Sequence, residues 1–226
     1  GILNDVSLTI GDNKLVVITG PNGGGKTTLA KLIAGIEKPD SGKILLDGRL
    51  INSLDVTERA KIGIAYAFQQ PVRFKGLLVR DLMELASGRN LSEEELCDSL
   101  SQVGLCAREY IDREVSASLS GGEIKRIEIA TVLARRARLT VFDEPEAGID
   151  LWSFQNLIQV FQKLRQEVDG SILIISHQKR ILEIADEIVV ISGGRVTAQG
   201  PGEAMLPQLF DGEGRARPCP MERGND

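Results

Sequence analysis

The sequence predicts an α/β domain built on a mixed, largely parallel sheet, and three observations predict it. Short apolar runs of strand length alternate with segments of helical periodicity, the pattern of a sheet whose strands are joined by helices packed on its faces. The chain has 226 residues, 42% hydrophobic and 26% charged, enough to bury one core of ordinary domain size. A glycine-rich loop also stands between an apolar strand-like run and an amphipathic helical stripe, as α/β ligand sites require.

Taken in order, strands are expected at Val6–Ile10, Leu15–Thr19, Lys43–Leu46, Gly63–Phe68, Leu139–Phe142, Ser171–Ile175 and Glu187–Ile191, each a short run rich in β-branched or large apolar residues. Leu29, Leu32, Ile33 and Ile36 follow the i, i+3, i+4, i+7 rule, as do Phe154, Leu157, Ile158 and Phe161, so each set forms one helical stripe. From about 72 to 138 there are helical patterns at Val79–Ala86 and Leu91–Val103 and no convincing strand, which predicts a helical subdomain inserted in the sheet. Residues 211–226, rich in Gly, Pro and charge, are expected to be disordered, leaving 1–210 as a single domain.

Charge, cysteines and hydropathy exclude several function classes. A formal net charge of -5 and a pI near 5.2 argue against a broadly basic nucleic-acid-binding surface, so no nucleic acid is expected as partner, although a local anion site is allowed. Cys97, Cys106 and Cys219 are an odd number without metal-ligand spacing and read as reduced, structural or incidental thiols. No run approaches the roughly 18 consecutive apolar residues of a membrane span, and no secretory signal pattern is present. A cytoplasmic location is therefore expected.

The most specific feature is Gly20-Pro21-Asn22-Gly23-Gly24-Gly25-Lys26-Thr27-Thr28, a full match to G-x-x-x-x-G-K-[ST] directly after the run LVVIT. Glycines let consecutive backbone N–H groups turn inward as an anion nest, and the following helix points its positive end at the bound phosphates. Lys26 would reach the β- and γ-phosphates, and the Thr27 hydroxyl would ligate Mg²⁺. The bland alternative, a glycine-rich turn that binds nothing, does not explain lysine and threonine both in register. A nucleoside triphosphate site follows, but kinases, GTPases, motors and transporter ATPases share it. No N-K-x-D-type base-reading sequence of a GTPase and no acceptor site of a small-molecule kinase can be identified.

Leu139–Pro145 forms a second constellation, an apolar strand ending in two carboxylates. At the carboxyl end of a parallel strand, Asp143 would lie near the Mg²⁺ and Glu144 near the attacking water, as general base or water-positioning group. Alone, Asp-Glu-Pro would read as a capping turn; beside the phosphate loop it reads as chemistry. In Leu119-Ser120-Gly121-Gly122-Glu123, before a helix expected near Ile124, Ser120 and Glu123 fit a capping box. The same glycines could instead expose N–H groups as a second anion site. Two phosphate-grasping surfaces in one chain fit a dimer in which each loop faces the partner's nucleotide.

At this point the sequence resembles the ATP-binding-cassette (ABC) ATPase family over nearly its whole length. The family's motifs occur in order: the Walker A loop Gly20–Thr28, the Q-loop Gln69 in Phe68-Gln69-Gln70-Pro71, the signature Leu119–Glu123, Walker B ending at Asp143 with Glu144, the D-loop Ala147–Asp150, and the switch histidine His177. The resemblance implies a P-loop NTPase fold of ABC type, ATP and Mg²⁺ as ligands, and ATP hydrolysis by a head-to-tail dimer with a second copy of the chain. It implies that Gln69 contacts Mg²⁺ and the attacking water, that Asp150 crosses the dimer interface, and that His177 contacts the γ-phosphate. It also places Ser120, Gly121, Gly122 and Glu123 against the partner's nucleotide. His177 alone, the one histidine of the chain, and Gln69 alone would carry little signal.

The family usually stacks adenine on an aromatic residue upstream of Walker A, whereas the first aromatic here is Tyr66. Either that segment lies outside this sequence or adenine is held by aliphatic contacts. Within the family, Phe68–Val72, the run Ser120–Arg126 with Glu123, and Gly148–Leu151 are similar to SufC-like soluble ATPases of iron–sulfur cluster assembly, which work with SufB/SufD-like scaffold proteins. Pro145 departs from that branch and follows the transporter pattern. The alternative is the ATP-binding subunit of an ABC membrane transporter, docked on a permease through the region Val72–Met83. A P-loop kinase outside the family would instead show acceptor-stimulated ADP formation and no ATP-dependent dimer.

Overall fold

The computed structural model describes residues 1–70, 73–116, 118–167 and 170–210. The tail 211–226 with Cys219, and Pro71 and Val72 of the expected Q-loop and helical insertion, lie outside the described residues.

Strand β1 (Leu15–Thr19) is buried along its whole length because LVVIT offers apolar side chains to both faces, as a central parallel strand requires. It pairs in parallel with β6 (Ser171–Ile175) on one side and β7 (Glu187–Ser192) on the other. Outward from β6 lie β5 (Leu139–Asp143) and β4 (Ile64–Ala67), both parallel, and β8 (Arg195–Pro201) closes the far edge antiparallel to β7. The six-stranded order is β4-β5-β6-β1-β7-β8, so the mixed, largely parallel sheet is as expected. Strands β2 (Leu45–Leu46) and β3 (Arg49–Leu50) form a separate ribbon.

Strand alternation divides the core into two layers. Leu15, Val17, Phe142, Ile172 and Ile174 face the layer shared with α3 (Val79–Ser87), α4 (Glu93–Gln102), α6 (Gly121–Ala134) and α7 (Leu151–Glu167). Val16, Ile18, Val141, Leu173 and Ile175 face the other layer, where α1 (Lys26–Ala34) contributes Ala30. Three short helices, α2 (Val56–Lys61), α5 (Ala107–Tyr110) and α8 (Lys179–Glu183), and the terminal α9 (Gly202–Phe210) complete the described residues. No helix among them is long and apolar enough to cross a membrane.

Four local expectations are corrected. Val6–Ile10 has the alternating pattern of a strand, and its Leu8 and Ile10 pack on the second core layer, but it joins no ladder. A strand exists only with a partner, and here side-chain packing, not pairing, uses the alternation. Strands β3 and β8 were not expected, although each follows a two-residue turn of the kind that closes hairpins: Asp47-Gly48 (φ 50° and 77°) and Gly193-Gly194 (φ 57° and 75°). Strand β3 is only two exposed residues long, and the alternation of β8 runs between exposed and half-buried positions and does not register as core. Ile36 falls outside α1, because Gly35 ends the helix at φ 80° where a Cβ would come within 2.9 Å of Arg59. Helix α6 begins at Gly121, three residues before Ile124, since Ser120 caps it.

Arg59 of α2 is 1% exposed, and its guanidinium donates to the carbonyls of Leu32 and Ile33 at the C-terminal end of α1 and to that of Leu54. The negative end of the helix dipole takes the place of a counter-carboxylate and anchors the helix that follows the glycine loop.

Candidate nucleotide site

Parallel pairing puts the carboxyl ends of β1, β4, β5 and β6 on one edge of the sheet, with Ala67 opposite Phe142, Asp143 opposite Ile175, and Ile175 opposite Ile18. The chain leaves each of these ends through a predicted site segment: Gly20–Thr28 after β1, Phe68-Gln69 after β4, Glu144 after β5 and Ser176-His177 after β6. Residues up to 157 positions apart in sequence thus share one rim, as open α/β sheets arrange their ligand sites.

The loop Gly20–Thr28 is shaped by positive φ at Gly20 (130°), Gly23 (75°) and Gly25 (102°). A Cβ on Gly20 would lie 2.1 Å from the Ile191 carbonyl oxygen, so that glycine is required by backbone proximity as well as by conformation. Gly24 accepts from the Gly194 N–H at 3.1 Å, tying the loop to the β7–β8 turn. Lys26 is 6% exposed, and its Nζ donates to the carbonyls of Gly20 (2.8 Å) and Pro21 (3.0 Å). A buried ammonium whose hydrogen bonds run to neutral carbonyls is a site short of negative charge. Helix α1 is also short of it: Gly25 gives no side-chain cap and its first turn holds no acid, whereas α2, α4 and α6 begin with complete capping boxes. The free N–H groups of α1, its dipole and Lys26 together form the donor set that a polyphosphate satisfies.

Asp143 is 2% exposed and shared by two hydroxyls. Thr27 Oγ1 donates to its Oδ1 at 3.1 Å, and Tyr66 Oη donates to its Oδ2 at 2.9 Å. Burial, and then the Asp143 carboxylate, push the Tyr66 phenol upward, so it keeps its proton and remains a donor. No group of three His, Cys, Asp or Glu among the described residues is placed to hold a metal alone. The Thr27 hydroxyl and the Asp143 carboxylate, 3.1 Å apart, are oxygen donors of the kind that could hold Mg²⁺ together with phosphate oxygens.

Glu144 sits at φ 46°, a left-handed conformation that costs a non-glycine residue about 1 kcal/mol or more. Its N–H is held by the Ile175 carbonyl at 3.0 Å, and its Oε2 accepts from Gln69 Nε2 at 2.6 Å. The structure therefore brings Lys26, Thr27, Gln69, Asp143 and Glu144 together. His177 is exposed on the same rim, next to the fully buried Ser176, whose hydroxyl donates to Glu146 and accepts from the Gln178 N–H. Burial raises the Glu146 carboxyl above the ordinary carboxylate range. Asp150 is exposed immediately before α7.

Ser120 and Glu123 form the capping-box arrangement: Ser120 Oγ accepts from the Glu123 N–H at 3.2 Å, and Glu123 accepts from the Ser120 N–H at 2.7 Å. Their hydrogen bonds run to one another and to Tyr110 and do not join the cluster around Asp143. The Tyr110 hydroxyl, and then Ser120, hold the Glu123 carboxyl down at about 2. A lowered carboxyl stabilises the fold above its unfolded pKa and loses that contribution as pH falls toward the folded one. Glu123→Gln should therefore lower stability at neutral pH and flatten the loss of melting temperature between about pH 4.5 and 2. Parallel acid limbs for variant and parent would contradict this.

Sequence reasoning did not single out Tyr66, Glu128, Glu146 or Ser176, and noted Lys125 only within the Ser120–Arg126 run. Lys125 is 1% exposed; its Nζ donates to the Phe68 carbonyl and lies 2.9 Å from Glu128, while Glu128 Oε1 accepts from the Phe68 N–H at 3.1 Å. Helix α6 thus grips both backbone groups of the residue before Gln69. The only available signal was a lysine and a glutamate at i, i+3, interleaved with Ile124, Ile127 and Ile129 of the same helix.

A Walker-type loop after the central strand, an Asp-Glu pair on the neighbouring rim and a Q-loop glutamine touching that glutamate define an ABC-type ATPase domain. The chain belongs to the ABC transporter family, whose model matches residues 3–147, and it is an ATP-hydrolysing domain of that family. It is 39% identical over 207 residues to an uncharacterized ABC transporter ATP-binding protein of Methanocaldococcus jannaschii, covering 88% of this chain and 82% of that protein. It is 31% identical to the lipopolysaccharide export system ATP-binding protein LptB of Haemophilus influenzae, over 91% of this chain and 86% of that protein. Its fold matches the ATP-binding cassette MJ0796 in a dimeric, post-hydrolysis state bound to ADP and Pi, with a TM-score of 0.78 and 26% identity over 88% of this chain and 90% of that one.

Proposed function

We propose that this chain is the ATP-binding subunit of a membrane transporter, in which two copies close head to tail on ATP and its hydrolysis moves a permease. The convergence of Thr27, Asp143, Gln69 and Glu144 beside the phosphate loop carries the catalytic part of this reading. Gly20, Pro21, Asn22, Gly23, Gly24 and Gly25 wrap the phosphates, Lys26 leaves its two carbonyls for the β- and γ-oxygens, and Thr28 extends the N-terminal N–H set of α1. Thr27 and Asp143, with Gln69, hold Mg²⁺, which when bound neutralises charge on the phosphate oxygens. Glu144 orients the attacking water and accepts its proton, and His177 reaches the γ-phosphate. Ser120, Gly121, Gly122 and Glu123 of one copy, with Asp150, face the nucleotide of the other; the likeness to a cassette that is dimeric when bound to ADP and Pi supports the dimer. The adenine rests on the aliphatic surface of Ile2 and Leu3: Leu3 packs against Gly25, and Ile2 is 61% exposed beside it.

The transporter branch is favoured because the relatives named above are transporter ATP-binding proteins and because an apolar groove of about 320 Å³ opens at Phe68, the residue before Gln69. Ile36, Val56, Phe68 and Phe74 line it and remain exposed, a surface suited to an apolar helical segment of a permease. The SufC-like reading, which Phe68–Val72, Ser120–Arg126 and Gly148–Leu151 support, uses the same ATP chemistry with SufB/SufD-like partners. Co-purification of the tagged chain from detergent-solubilised membranes separates them: capture of a multispanning permease is expected. Stable capture of SufB/SufD-like scaffolds without a permease would overturn the transporter assignment.

A further inference from the structure

We infer that Tyr66 is a positioning residue for the cation-binding carboxylate Asp143, an inference that rests on the Mg²⁺ site proposed above. The carboxylate is 2% exposed and needs donors in place of water, and the structure supplies one hydroxyl to each oxygen: Thr27 to Oδ1 and Tyr66 to Oδ2. These two donors have different tasks. Thr27 would have two tasks with Mg²⁺ present, offering an oxygen lone pair to the cation while its proton stays with Oδ1. Tyr66 has no such second task; its hydroxyl serves Oδ2 alone and would hold that oxygen with or without the cation.

The ring is held in a way that suits a fixed donor. Tyr66 lies on β4 directly opposite Val141, two residues before Asp143 on the paired strand β5, so its position relative to the carboxylate is set by a backbone ladder. Its ring meets that of Phe68 edge-on, with centroids 4.9 Å apart at 75°. Phe68 in turn is gripped through both backbone groups by Lys125 and Glu128 of α6. A tyrosine hydroxyl on a rigid ring loses little conformational freedom when it bonds, so it presets the orientation in which Asp143 offers Oδ1 to the cation.

Tyr66→Phe removes one oxygen and keeps the ring. Binding of a fluorescent ATP analogue to the full chain, titrated with Mg²⁺ and repeated in EDTA, reads the effect without turnover. The half-saturating Mg²⁺ concentration should rise about tenfold, as loss of one hydrogen bond to a charged group implies, while affinity in EDTA stays within about twofold of the parent. An unchanged or lowered Mg²⁺ requirement, or an equal loss of affinity with and without Mg²⁺, overturns the inference. Asp143→Asn, measured alongside, separates the two levels. If it shifts the Mg²⁺ requirement and Tyr66→Phe does not, Tyr66 has no positioning role; if neither variant shifts it, the assignment of Asp143 to the cation falls, and the inference with it. Tyr66→Leu, which keeps apolar bulk without a hydroxyl, should reproduce the Mg²⁺ shift, and melting curves confirm that both variants are folded.

Discussion

Glu144→Gln is expected to reduce ATP turnover by about 10²–10⁴-fold, the range for loss of a general base, while ATP binding is retained. The substitution is nearly isosteric, so the left-handed turn at φ 46° and the hydrogen bond from its N–H to the Ile175 carbonyl remain. A glutamine can still meet Gln69, whose Nε2 lies 2.6 Å from Glu144 Oε2, but it accepts no proton from water. With hydrolysis blocked, two copies should stay closed around ATP. Size-exclusion chromatography with ATP and Mg²⁺ should show a dimer that the parent forms only transiently. An unchanged hydrolysis rate would remove Glu144 from the chemistry.

Lys26→Ala should act one step earlier, on binding itself. The Nζ is buried and bonded to the Gly20 and Pro21 carbonyls, so it already lies inside the loop proposed to receive the phosphates. A hydrogen bond to a charged group contributes about 1.5–3 kcal/mol, which corresponds to roughly a tenfold to hundredfold loss of ATP affinity. Because the same amine braces two loop carbonyls, the variant's melting temperature is measured beside its affinity. Parental ATP affinity in a folded variant would contradict the assigned role.

The phosphate loop was legible because its chemistry is local: a nest of consecutive N–H groups, a lysine and a threonine on one helical turn need only one stretch of chain to form. The same holds for the parallel core, since Leu15–Thr19, Leu139–Phe142 and Ser171–Ile175 are apolar on both faces and carry that environment in their composition. Val6–Ile10 misled for a related reason: alternation reports a half-buried extended segment, and only a partner makes it a strand. The edge strand β8 reads RVTAQGP, exposed or half-buried along its length, so its hydrophobic signal is faint, and the Gly193-Gly194 turn before it was the one cue it offered. Between Leu119 and Glu123 the sequence allowed either a cap or an anion site. The structure shows the cap formed in the single chain, and the anion role belongs to the proposed dimer.

By itself, then, the sequence determined an α/β ATPase domain with its phosphate loop, its Asp-Glu pair and the order of its motifs, because each of these is written within one short segment. The tertiary structure alone decided which of those segments meet. The order β4-β5-β6-β1-β7-β8 lays β4 beside β5, and that adjacency puts Gln69 on Glu144 and the Tyr66 hydroxyl on Asp143. It also lets Lys125 and Glu128 hold the backbone of Phe68 from a helix 57 and 60 residues away in sequence. Pairings of this kind depend on strand order and register, which are properties of the folded sheet and leave no pattern at the positions themselves.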